Sequence, residues 1–104
     1  MEITINGKAY NVRYTLRAMM MWEAITKKRF EIVTITDQWL YYFTLLLASN
    51  PGMEMDFEEF VDACDDEPAI LVTMGEFINA EAKKRELFSG DDADEAGEEK
   101  KSGR

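Results

Sequence analysis

Thr36-Asp37-Gln38-Trp39-Leu40-Tyr41-Tyr42-Phe43-Thr44-Leu45-Leu46-Leu47-Ala48-Ser49 is the stretch on which the fold turns. Thr36 reads as a helix N-cap, and Asn50-Pro51-Gly52 stops the helix it opens. Trp39, Leu40, Tyr42, Phe43, Leu46 and Leu47 leave almost no polar face, so this helix belongs at the centre of the domain or of an oligomer. The apolar run from Trp39 to Ala48 is about half of the roughly 20 residues needed to span a bilayer. It is a core helix.

Working back toward the N-terminus, Ile3 and Ile5 alternate with Glu2 and Thr4, and Tyr10, Val12 and Tyr14 alternate with Ala9, Asn11 and Arg13. Asn6-Gly7 between them suits the two positive-φ positions of a type I′ turn, so the segment reads as a β-hairpin. A hairpin alone is marginal in water, and its apolar face must rest on a helix. Thr15 is a second N-cap, for a helix that ends near Lys27-Lys28-Arg29, where cations meet outward-pointing carbonyl dipoles. Ala18, Met21, Trp22 and Ile25 share its inward face, while Leu16, Met19 and Met20 widen the apolar stripe beyond what one packing face needs. Phe30 to Ile35 is an extended connector.

Beyond the central helix, Asp56 and Glu59 form a capping box that opens a helix with Phe57, Phe60, Val61 and Cys64 inward. Asp66-Glu67-Pro68 starts a further helix striped by Ile70, Leu71, Met74, Phe77 and Ile78. Residues 89–104 hold no aliphatic side chain larger than alanine, so nothing there offsets the entropy of ordering. The expected fold is mainly α with some β, an N-terminal two-stranded hairpin packed on about four helices over residues 1–88, followed by a disordered acidic tail at 89–104.

The chain holds 21 acidic and 12 basic residues, a net charge of −9, which repels phosphate backbones and anionic lipid headgroups alike. Nucleic acid and membranes are therefore poor partners. The N-terminus carries neither a basic region nor an apolar signal core, so the expected compartment is the cytoplasm. There is no histidine, and Cys64 is the only cysteine, so the commonest general base and the usual zinc or iron–sulfur ligands are missing. The six glycines are scattered and form no phosphate loop.

Glu58 and Asp62 share a helical face and could act as an acid–base or metal pair. They belong, however, to a run from Glu54 to Glu67 with eight acids and no base, which reads better as a solvated face. Asp62, Asp65, Asp66 and Glu67 lack the ligand spacing and central glycine of a calcium loop. We expect no enzyme, no cofactor and no metal site. Residues 1–30 carry six bases and two acids, opposite in sign to the 54–67 run. These two regions either neutralise one another within the fold, the reading favoured here, or guide a head-to-tail contact between copies. The seven methionines, three of them at Met19 to Met21, suggest an adaptable apolar surface.

The order of these features, from Ile3-Thr4-Ile5-Asn6-Gly7-Lys8 through Thr15-Leu16-Arg17-Ala18, Trp22-Glu23-Ala24-Ile25-Thr26-Lys27 and Phe30 to the aromatic and acidic helices, resembles the short tail assembly chaperones of long-tailed (siphovirus-type) bacteriophages and prophages. It covers roughly residues 1 to 80 and rests on order and residue type rather than on a diagnostic motif. Where such chaperones often have glycine and proline after the Ile-Thr pair, this chain has Lys27 to Arg29. The resemblance implies a helical protein that binds the tape-measure protein, recruits major tail tube subunits and is absent from the finished virion. It also implies a longer product made by ribosomal frameshifting, for which adenine-rich codons at Lys100-Lys101 would be suited.

A chaperone of that kind needs exposed apolar helix surface, an acidic surplus for solubility and displaceable affinity. The candidate contact residues are Met19 and Met20, Trp39 and Tyr42, and the stranded pair Leu87-Phe88, with self-association as a further possibility. The contrasting reading is an acidic inhibitor or DNA mimic that fills the basic groove of a nucleic-acid-binding partner.

Overall fold

The computed structural model describes residues 1–93, with side chains described through residue 85. Two strands, β1 (Glu2–Ile5) and β2 (Lys8–Asn11), precede four helices, α1 (Leu16–Thr26), α2 (Ile35–Ser49), α3 (Phe57–Asp66) and α4 (Ala69–Ala93). This is the mainly helical fold with an N-terminal hairpin that the sequence implies. The chain divides into two compact units, Met1–Met74 and Gly75–Arg104. As far as it is described, the second unit consists of α4 continued to Ala93. Residues 89–93 of the expected tail lie in that helix, and residues 94–104 fall outside the described residues.

In the hairpin, Asn6 (φ 53°) and Gly7 (φ 78°) supply the two left-handed conformations of a type I′ turn. Ile5 therefore pairs with Lys8 and Ile3 with Tyr10. Met1 and Val12 add one further rung, each donating an amine or amide hydrogen to the other's carbonyl. The alternation puts Ile3, Ile5, Tyr10 and Val12 on one buried face.

The outer edge of β2 is closed by the C-terminal end of α2. Asn50 Oδ1 accepts the Asn11 N–H at 3.0 Å while Asn50 Nδ2 donates to the Asn11 carbonyl at 2.9 Å, so one side-chain amide does the work of a neighbouring strand. Ser49 Oγ accepts the Arg13 N–H at 2.9 Å, two residues along the same edge.

Thr15 caps α1 as expected, its Oγ1 accepting the Ala18 N–H. The helix ends at Lys27, whose φ of 62° is left-handed and whose N–H reaches the Glu23 carbonyl. A lysine there carries a steric cost on the order of 1 kcal/mol that glycine would not. Only Ala18 and Trp22 of α1 are buried. Ile25, expected on the inward face, is 50% exposed. Phe30 takes its place because the connector folds back: the Phe30 N–H donates to Glu23 Oε2 at 2.7 Å, and its ring sits edge-on to Trp22 (5.2 Å) and Tyr41 (4.9 Å).

Thr34, and not Thr36, caps α2. The reason is reciprocity: three residues after Thr34 stands Asp37, whose Oδ2 accepts the Thr34 N–H while Thr34 Oγ1 accepts the Asp37 N–H. Three residues after Thr36 stands Trp39, which can offer no such oxygen. Along α2, Tyr41 to Leu46 are all buried, and Thr44 enters this apolar run by donating its hydroxyl hydrogen to the Tyr41 carbonyl at 2.8 Å. The Asp56/Glu59 capping box opens α3 as expected, burying Phe60, Ala63 and Cys64. Phe57 and Val61 are only half-buried.

Candidate functional site

α2 separates two different surroundings. Asp37 and Tyr41 face α1: the Asp37 carbonyl accepts the Trp22 indole N–H at 3.1 Å, and the Tyr41 ring meets Phe30. Trp39 and Phe43 lie two residues on from these, about 200° around the helix, and so point to the opposite side. There Phe43 packs edge-on against Phe57 at 5.6 Å.

On that second side the packing stops short of closing. Ile35, Thr36 and Trp39 of α2 and Phe57, Glu58, Val61 and Asp62 of α3 enclose an open groove of about 360 Å³. Ile35 is 71% exposed, and Trp39, Phe57 and Val61 are each half-buried. The spacing accounts for this. Ile35 and Trp39 are four apart on one helix and Phe57 and Val61 four apart on the other, so each pair forms one wall. Glu58 and Asp62 stand along the rim, both exposed.

A second apolar surface lies on α1. Arg17, Met20, Met21 and Ala24 line a shallow depression of about 440 Å³. Met20 is 68% exposed, and Leu16 and Ile25 beside this stripe are exposed as well.

The sequence-derived contact residues divide among these places. Met20 lies on the α1 surface with Met19 half-buried next to it, and Trp39 lies in the α2–α3 groove. Tyr42 is a correction: it is 6% exposed and cannot serve as a surface contact. It sits within the fully packed middle of α2, and its hydroxyl oxygen accepts a hydrogen bond from Gln38 Nε2. The side chains of Leu87 and Phe88 fall outside the described residues. Ile35, Phe57, Val61 and Arg17 escaped the sequence reading, although the paired i, i+4 spacing on two adjacent helices was the signal that could have found the groove.

The two charged regions meet at Lys8, Glu54 and Glu59, which line one surface depression, without a direct ion pair between them. Among the described residues the ion pairs are Lys28–Asp37 (3.6 Å), Arg29–Glu31 (3.8 Å) and Lys84–Glu81 (3.0 Å). None of them joins a cation of residues 1–30 to an acid of the 54–67 run. The α3 acids and Arg17 are left facing outward.

Asp37 has the most perturbed carboxylate environment. Hydrogen bonds from the Thr34 and Val33 N–H groups, aided by the nearby Lys28 ammonium, hold its pKa below the ordinary value despite partial desolvation. These contacts define a helix cap rather than an acid–base centre. Burial, helped by the charge of Asp65, pushes the Cys64 thiol up to about 11, so at neutral pH it is protonated and a poor nucleophile. Among the described residues no three potential metal-ligating side chains converge, and no helix is long and apolar enough to cross a membrane. No known protein family, curated protein or solved structure matches this chain.

Proposed function

We propose that this chain is a small tail assembly chaperone of a long-tailed bacteriophage or prophage, binding the tape-measure protein and recruiting tail tube subunits in the cytoplasm of the bacterial host. The observation that carries this reading is the α2–α3 groove, whose apolar walls are left half-exposed. A groove between two helices with apolar side chains at i, i+4 is the shape that accepts an amphipathic helix. A tape-measure protein, being long, helical and apolar, offers such helices in series. The work is binding, and no catalytic group is needed for it.

A shallow, half-wet groove gives modest affinity, as a chaperone displaced by tube subunits requires. The acidic surplus keeps the complex in solution. The test is co-purification of this chain with helical segments of a tape-measure protein. Retention of those segments by the native chain, lost with Val61→Asp, supports the reading. No retention at any segment length contradicts it.

The outward-facing α3 acids favour a second reading, an acidic inhibitor that fills a basic groove on a nucleic-acid-binding protein. Salt separates the two. An apolar groove contact survives a rise from low to about 0.5 M salt, where the Debye length falls below about 5 Å, whereas a contact made by acids alone does not.

A further inference from the structure

We infer that the free edge of β1 is a second binding site, which takes an extended, basic segment of another protein as a third strand. The site is separate from the α2–α3 groove and does not depend on what the groove binds.

The two edges of the hairpin are finished differently. Met1 and Val12 exchange both of their backbone hydrogen bonds, so by the alternation of an antiparallel ladder Ile3–Tyr10 and Ile5–Lys8 are bonded pairs, while Glu2–Asn11 and Thr4–Ala9 are not. The N–H and C=O groups of the unbonded pairs point outward. On β2 the Asn11 groups are met by the Asn50 side chain. On β1 the backbone groups of Glu2 and Thr4 have no hydrogen-bond partner among the described residues. Two donors and two acceptors with the spacing of a ladder thus lie open, and water or another strand must satisfy them.

The surroundings select the strand. Beside β1, Glu67, Ile70 and Thr73 at the start of α4 form the far wall of an open depression of about 270 Å³. Ile3 and Ile70 supply its apolar part and Glu2 and Glu67 its charge, and among the described residues no base lines it. An antiparallel third strand places the residues opposite Glu2 and Thr4 on the solvent side and those between them on the Ile3 side. The segment that fits therefore alternates bases with small apolar residues. A second copy's β1 would bring an acid and no base, so Glu2 guards the edge against its own kind while attracting a basic segment. With four residues in the strand, the contact is small and reversible.

The experiment is an amide NMR titration of the full chain with synthetic octapeptides in which lysine alternates with valine. The Glu2 and Thr4 amides are expected to shift and, at saturation, to exchange more slowly. The Ile3 and Ile5 amides, already bonded to β2, keep their exchange rates. Methylating the peptide nitrogens of the lysines is expected to abolish binding, because those are the N–H groups that face β1, whereas methylating those of the valines leaves it intact. Glutamate in place of lysine is expected to weaken binding about fivefold, the effect of one or two cross-strand charge pairs. Thr4→Pro removes an outward donor at an edge position where proline is tolerated, and is expected to weaken binding severalfold with Ile3 and Ile5 still protected.

The absence of a saturable shift at Glu2 and Thr4 overturns the inference. So does equal binding of the two methylated peptides, which would make the contact one of side chains alone, or equal binding of the lysine and glutamate peptides. Shifts at Glu2 and Thr4 that follow protein concentration without peptide would give the edge to a second copy and likewise overturn it. The methylated peptides decide on the native chain, whatever the proline variant does to the hairpin.

Discussion

The two sides of α2 are built from similar residues and end in different states. Toward α1, Trp22 is fully buried, its indole N–H donates to the Asp37 carbonyl, and Phe30 covers it edge-on. Toward α3, Trp39 is half-buried, with Ile35, Phe57 and Val61 around it and no described residue closing over them. Both sides have a tryptophan and aromatic neighbours, so composition does not separate them. The connector does. Between α1 and α2 it folds back and is fixed by the Glu23 carboxylate and the Asp37 cap, which brings Phe30 over the seam. Residues 50–56, between α2 and α3, turn at Pro51-Gly52 and send Met55 into the core, and none of them lines the groove.

The largest expected effect tests the closed side. Trp22→Ala removes a fully buried side chain and is expected to cost about 3–5 kcal/mol, a large share of the stability of a domain this small, read by denaturant unfolding. Loss below about 1 kcal/mol would mean that the α1 seam is as loosely made as the groove.

Next comes the tie between α2 and the hairpin. Asn50→Ala gives up three hydrogen bonds on a half-exposed side chain and is expected to cost about 1–2 kcal/mol, with faster hydrogen exchange at Asn11.

The Asp37 cap sharpens the comparison by pH. Its folded pKa lies below the ordinary value, so its stabilisation is present above about pH 4 and is lost as the pH falls through the folded value. The stability gap between the native chain and Asp37→Asn should therefore be widest near neutrality and narrow in acid. A gap that is constant with pH would mean the carboxylate charge does no work at the cap.

The smallest expected effect on stability belongs to the open side. Ile35→Ser and Val61→Ser are expected to change stability by about 0.5–1 kcal/mol, yet to abolish retention of client helices by the groove. Large destabilisation would instead place these residues in the core.

Much of this was legible in the sequence. The hairpin followed from Asn6-Gly7 flanked by alternating apolar residues, and the α3 start followed from Asp56 and Glu59, because both are local arrangements encoded within a few residues. The errors were those of partnership. Thr36 directly precedes the first expected helical residue, while the reciprocal partner that makes Thr34 the cap stands three residues beyond Thr34. Tyr42 looked available because an all-apolar helix shows no face of its own, and only its neighbours decide what is covered. Ile25 and Phe30 exchanged roles for a similar reason: where a connector folds back is a tertiary fact. The groove needed two helices to be seen at once. Its residues were present in both patterns, but periodicity describes one helix at a time.

The two tryptophans offer the most direct test of the claim that one side of α2 is closed and the other left open for a protein. Trp22→Phe and Trp39→Phe each leave a single indole, whose quenching by acrylamide, a neutral quencher indifferent to Glu58 and Asp62, reports its access to water. In dilute solution Trp22 should resist quenching and Trp39 should be quenched readily, and on adding helical tape-measure segments Trp39 alone should become shielded. Equal shielding of both in dilute solution, or a Trp39 that stays equally accessible with every tape-measure segment, would contradict the account.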